Sequence, residues 1–149
     1  MIINENMIVL DMKAESKHDA IVELAEYAQK EGKIISIEDY IKSVFEREET
    51  YSTGVGNGIA IPHGKSKAVK EAMIVFGKSK GGIEWDSFDG KPVKMIFLLG
   101  VPDANVDNLH LKILSQLSRK LMNDDFVKMI REAKTTDGIL TALNDIKVN

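Results

Sequence analysis

Residues 93–99, VKMIFLL, contain one polar side chain, Lys94. A half-exposed strand alternates polar and apolar positions, so a short run this apolar suits a strand covered on both faces. Something must therefore pack on each side of it, and both ends of the chain supply candidates. Ala20, Ile21, Leu24, Ala25 and Ala28 recur at helical spacing between Ser16, a good N-cap, and Gly32, a good stop. That spacing predicts a helix over about 16–31. Ser36 opens a second helix with Ile37, Tyr40, Ile41, Val44 and Phe45 on its inner stripe, ending near Glu48. Beyond Pro102, the residues Val106, His110, Ile113, Leu114, Leu117 and Leu121 share one face of a helix over about 106–122. Shorter helices are expected around 126–133 and 139–143.

The middle of the chain reads as strands. Residues 59–61 and about 72–77 are expected to be extended, 78–82 to form a turn, and 7–10 to be an edge strand or a buried leader. Asp89-Gly90 marks a turn before Val93 and suggests at least one antiparallel pair. The expected fold class is α/β, a three-layer α/β/α arrangement in which a mixed central sheet is flanked by helices on both faces. The 149 residues fit a single domain over 1–149.

Composition narrows the function. The net charge of −3 gives no reason to expect nucleic acid. No cysteine is present, which excludes disulfides, thiolate zinc sites and a catalytic thiol. Three scattered histidines lack a metal-binding spacing. No apolar run approaches the ~20 residues needed to span a membrane, and the N-terminus is too acidic for a secretory signal, so a cytoplasmic protein is expected.

The stretch most suggestive of chemistry is 47–66, REETYSTGVGNGIAIPHGKS. Pro62 biases Ile61 towards extended backbone, and Gly64 frees the chain to turn after His63. His63 is therefore expected at the end of a core strand, on a turn, open on one side. A nucleophile, a general base, a metal ligand or a buried structural histidine would all fit that position. The glycines before it do not match a dinucleotide loop, because they lead into a strand and a proline rather than a helix. They also lack the lysine of a P-loop. They serve either to bring backbone amides to a ligand or to make a tight turn. His110 lies on an apolar helix face, where a polar ring needs a partner. If Asn105 or Asp107 caps that helix, His110 falls in or near its first turn, where the helix dipole favours a neutral ring and attracts anions. Arg47 ends the second helix among glutamates and suits either solvent or an anion. Arg119 is a weaker alternative on a helix surface, and His18 reads as a surface residue. Thr53 and Lys65 are further possible phosphate contacts. Glu84, Asp86 and Asp89 suggest an exposed acidic loop around Trp85.

Four separated segments resemble one known family in the family's own order: FEREE, TGVGNGIAIPHGK, FDGKPVKMIFLLGVP and NLHLKILSQLSRKLMNDDF. They are similar to the EIIA components of the bacterial phosphoenolpyruvate-dependent sugar phosphotransferase system, fructose/mannitol class. The resemblance implies that His63 accepts a phosphoryl group from phospho-HPr and passes it to a cysteine of an EIIB component. It implies that His110 orients His63 or stabilises the transferred group, and that the Arg47 guanidinium binds phosphoryl oxygens. It implies no metal and no cofactor, and an indirect link to a membrane EIIC permease. An apolar, shallow rim for visiting partner proteins is expected around His63. A nitrogen-type regulatory branch shares the core motif. The third and fourth segments look closer to the fructose-like transporters.

Overall fold

A computed structural model describes residues 2–103 and 108–147. Its centre is a six-stranded mixed sheet in the order β1-β5-β6-β3-β2, with β4 also pairing β6. The strands are β1 Ile8–Val9, β2 Gly54–Gly56, β3 Ile59–Ala60, β4 His63–Ser66, β5 Met73–Ile83 and β6 Val93–Pro102. The helices are α1 Lys17–Lys30, α2 Ile37–Thr50, α3 Leu109–Leu121, α4 Asp124–Glu132 and α5 Thr136–Leu143. The apolar run expected to be central is central: β6 pairs β5 on one side and both β3 and β4 on the other. Met95 to Val101 are buried at every position, so both faces of β6 are covered.

The faces can be assigned from glycines. A Cβ on Gly77 would meet Leu24 of α1, and one on Gly100 would meet Tyr40 of α2. These positions share one sheet face, so α1 and α2 form one outer layer. The opposite face presents Met95, Phe97, Leu99 and Val101, and the C-terminal helices cover it through Ile113, Leu117, Val127, Ile130, Ile139 and Leu143. Ser16 and Ser36 cap their helices as expected, each side chain accepting from the amide three residues on. The buried Tyr40 phenol donates to the Leu99 carbonyl at 2.6 Å and ties α2 to β6. Burial raises its pKa well above the usual phenol value, keeping it a donor.

Four local expectations are corrected. Residues 78–82 are not a turn: β5 continues to Ile83, with a register shift between Lys78 and Ile83 and Gly82 at φ +79°. Such a bulge uses the same glycines and polar residues as a turn. Gly64 does not turn the chain either. His63 opens β4, which runs parallel to β6 in the register already set by β3. Gly64 is needed for close packing, since a Cβ there would stand 2.9 Å from Val44 Cγ2 and 3.2 Å from Val44 N. Trp85 is 1% exposed, not a loop residue in solvent, although Glu84, Asp86 and Asp89 around it are exposed. The second helix runs two residues past Glu48 to Thr50. The proposed caps Asn105 and Asp107, with Val106, lie outside the described residues. Asn108 precedes α3 at φ 23° without a side-chain cap bond.

Candidate active site

His63 stands where the β3–β4 line resumes after Ile61-Pro62. Its partly buried ring places Nδ1 3.0 Å from the Ile61 carbonyl oxygen. A carbonyl only accepts, so Nδ1 carries the proton and donates. In the neutral ring this leaves the lone pair on Nε2. Burial lowers the His63 pKa from 6.5, the charges of Arg47 and His110 push it further down, and the Ile61 bond and Glu48 oppose them. The net shift favours the neutral, nucleophilic ring. Ring-proton NMR titration should therefore find the His63 midpoint below 6.5; a midpoint above it would mean that the Ile61 and Glu48 interactions outweigh burial.

Arg47 of α2 and His110 of α3 both come near enough to His63 of β4 for their charges to bear on its ring. Because Gly64 faces α2, strand alternation sends His63 and Lys65 towards the α3 face. His110 is the second residue of α3, in its first turn as expected. Its Nδ1 is buried with no hydrogen-bond partner among the described residues. Burial and then the Lys65 charge lower its pKa, which favours the neutral form of this ring as well. Arg47 lies in the last turn of α2. Its Nη1 donates to the Tyr51 carbonyl at 2.9 Å, and its guanidinium lies over the Tyr51 ring, 4.6 Å from the centroid. That leaves other N–H donors of the fork for an anion.

The remaining candidates separate. Thr53 is 2% exposed and bound to Glu48 and Trp85, so it does not face a phosphate. Lys65 is exposed, 3.9 Å from Asp103 Oδ1. Arg119 is exposed and reaches Ser115. His18 is on the surface, stacked on Phe45. The glycine stretch folds as a hairpin whose tip, Asn57-Gly58, has φ of 58° and 75°, the positive pair that an Asn-Gly turn favours. The Asn57 amide is taken by Asp89. Tight turning, rather than amide presentation, accounts for that tip. Among the described residues no group of three His, Cys, Asp or Glu could hold a metal ion.

Sequence reasoning missed what supports His63. Glu48 is 8% exposed and accepts from the Thr53 hydroxyl, from Thr53 N at 3.3 Å and from Lys17 Nζ at 3.1 Å. Trp85 Nε1 donates to Thr53 Oγ1 at 3.2 Å. The Thr53 carbonyl then accepts from Ile61 N at 3.1 Å, and Ile61 is the residue that holds His63 Nδ1. The available signal was spacing: Glu48 follows Tyr40 and Val44 by successive steps of four, which puts it on the inner stripe.

Comparison with known proteins identifies the family. The model for phosphoenolpyruvate-dependent sugar phosphotransferase system, EIIA 2, matches residues 1–146. The chain belongs to the EIIA type 2 family. It is 36% identical over 140 residues to the PTS system fructose-specific EIIA component of Haloferax volcanii, covering 94% of this chain and 90% of that one. It is 34% identical over 143 residues to the fructose-specific EIIABC component of Bacillus subtilis, covering 96% of this chain and 22% of that much longer protein. The crystal structure of nitrogen regulatory protein IIA-Ntr from Neisseria meningitidis superposes with a TM-score of 0.86 at 33% identity, over 95% of this chain and 96% of that one. The EIIA relatives carry the three-layer expectation, and no helix among the described residues is long and apolar enough to cross a membrane.

Proposed function

We propose that this EIIA domain, spanning 1–149, is a cytoplasmic phosphocarrier in fructose-type sugar uptake. His63 Nε2 takes the phosphoryl group from phospho-HPr and gives it to the cysteine of an EIIB partner. The observation that carries this reading is the Nδ1–Ile61 bond, which dedicates Nε2 to nucleophilic attack. In the first transfer the Nε2 lone pair forms the N–P bond as the donor's N–P bond breaks. The leaving electron pair returns to the donor imidazole. Positive charge grows on the His63 ring, and the Ile61 carbonyl stabilises it at Nδ1–H. Arg47 and a ring N–H of His110 hold the equatorial oxygens of the group in flight. In the second transfer the thiolate attacks phosphorus and the electron pair returns to Nε2. Tyr51, under the Arg47 guanidinium, is 65% exposed, and Leu111, next to His110 in α3, is 52% exposed; the two would supply an apolar rim suited to transient partners.

The test is reconstitution with Enzyme I, HPr and phosphoenolpyruvate, followed by addition of candidate EIIB domains. Phosphate should enter this chain and leave it for a EIIB thiol. Arg47→Ala and His110→Ala should each slow entry by about 10²–10³-fold, the loss typical of one transition-state donor, while leaving thermal unfolding nearly unchanged. A variant that unfolds early but transfers normally when folded would reduce that residue to a structural role.

A second reading is favoured by the 33% identity and TM-score of 0.86 to the IIA-Ntr structure. There the same phosphorylation would change which protein binds, with no sugar carried. Acceptance from phospho-HPr without delivery to any EIIB would select it.

A further inference from the structure

A second recess lies away from His63, where β5 and β6 meet the end of α4. It encloses about 820 Å³, within the range of small-molecule sites. Its rim carries Lys78, Lys80, Lys94, Arg131 and Lys134, against one carboxylate, Glu132. Its floor is apolar, made by Leu10, Met95 and Ala133. Lys94 and Arg131 also line an adjoining recess of about 540 Å³ that adds Lys91 and Asp89. In a chain of net charge −3, this is a local reversal of sign. None of the five rim cations has a carboxylate within 4.0 Å among the described residues.

Two rim residues are held in place. Lys78 Nζ donates to the Arg131 and Ala133 carbonyls at 2.9 and 2.6 Å, at the C-terminal end of α4. Arg131 Nη2 donates to the Asn57 carbonyl at 3.0 Å, which fixes the guanidinium between the two recesses. Half-burial lowers the Lys78 pKa, as expected for an ammonium removed from water without a counter-charge. Lys80, Lys94 and Lys134 are exposed and free to close over a ligand.

We propose that this recess binds a small organic phosphate, its phosphate against Lys80, Lys94, Arg131 and Lys134 and its carbon framework on the Leu10–Met95–Ala133 floor. A doubly charged phosphate matches several convergent cations better than a monocarboxylate does, and an apolar floor favours a ring over inorganic phosphate. The recess meets β6 at Met95, whereas His63 pairs with Leu99, four residues or about 13 Å along the strand. Occupancy is therefore independent of the phosphoryl-transfer reading.

The test is calorimetric titration of the whole chain with adenosine 5′-monophosphate, ribose 5-phosphate and inorganic phosphate at two salt concentrations. Wild type and His63→Ala should bind the monophosphate alike, more tightly than inorganic phosphate and more weakly at high salt. Lys94→Ala with Lys134→Ala should lose about tenfold or more in affinity. Both positions are exposed, and unchanged thermal unfolding would confirm that the fold survives. In the wild type, the Lys78 pKa should rise on binding, as read by NMR. Absence of binding by all three probes would overturn the proposal. So would equal affinity in the double variant, or binding of hexaglutamate in preference to the phosphates.

Discussion

His63→Ala is expected to take up no phosphate from phospho-HPr and to fold as the wild type does. Loss should be complete because, in the proposed transfer, the ring nitrogen is itself the atom that forms the new bond, and the neighbouring Arg47 and His110 are not placed to replace it. Arg47 is a cation with no lone pair to offer, and the His110 Nδ1 is buried. The fold survives because the His63 side chain makes one hydrogen bond to the protein and leaves part of its ring in water. Truncation should cost no more than about 1–2 kcal/mol. Phosphate incorporation quenched in alkali, measured beside a urea unfolding curve, checks both halves. An alanine variant that still acquires an acid-labile phosphate would move the site elsewhere.

Glu48→Ala is expected to have the largest effect on stability among substitutions near the site, about 2–4 kcal/mol. Its carboxylate accepts from the Thr53 amide and hydroxyl and neutralises Lys17. Removing it strands a buried N–H and leaves Lys17, itself about a quarter exposed, without its counter-charge. The second consequence is catalytic. Thr53 holds Ile61, and Ile61 holds the His63 proton, so a loosened Thr53 loosens the ring's orientation. Phosphoryl acceptance should slow even at temperatures where the variant is folded. Trp85 is the sole tryptophan and donates to Thr53, so its emission should shift to the red as water enters. A variant of unchanged stability and unchanged emission would show that the carboxylate contributes nothing to the fold. Glu48→Gln, which keeps an acceptor, should fall between the two.

What could be read in advance was set by local physics. The apolar run at 93–99 dictated a doubly covered strand, and Ser16 and Ser36 announced their helices through capping. The residues that misled were those whose chemistry is shared by two structures. Lys78 to Gly82 has the composition of a turn, yet pairing with β6 and a bulge keep it in the sheet as far as Ile83. His63 to Ser66 contains no apolar residue, so periodicity is silent there. It is a strand because main-chain bonds to β6 hold it, and Gly64 lets α2 come close. Trp85 is flanked by acids and looked exposed, but Thr53 supplies the indole a buried acceptor. The site was legible in part for the same reason. His63 and Arg47 belong to one local stretch, whereas the approach of His110 and the pairing of Glu48 with Lys17 depend on packing between distant elements.

The decisive measurement is nitrogen-15 and phosphorus-31 NMR of the chain after incubation with Enzyme I, HPr and phosphoenolpyruvate at alkaline pH. A single phosphoramidate on Nε2 of His63, with Nδ1 still protonated towards Ile61, is the expected spectrum. Phosphorus coupled to Nδ1 of His63, or to a nitrogen of His110 or His18, would contradict the account.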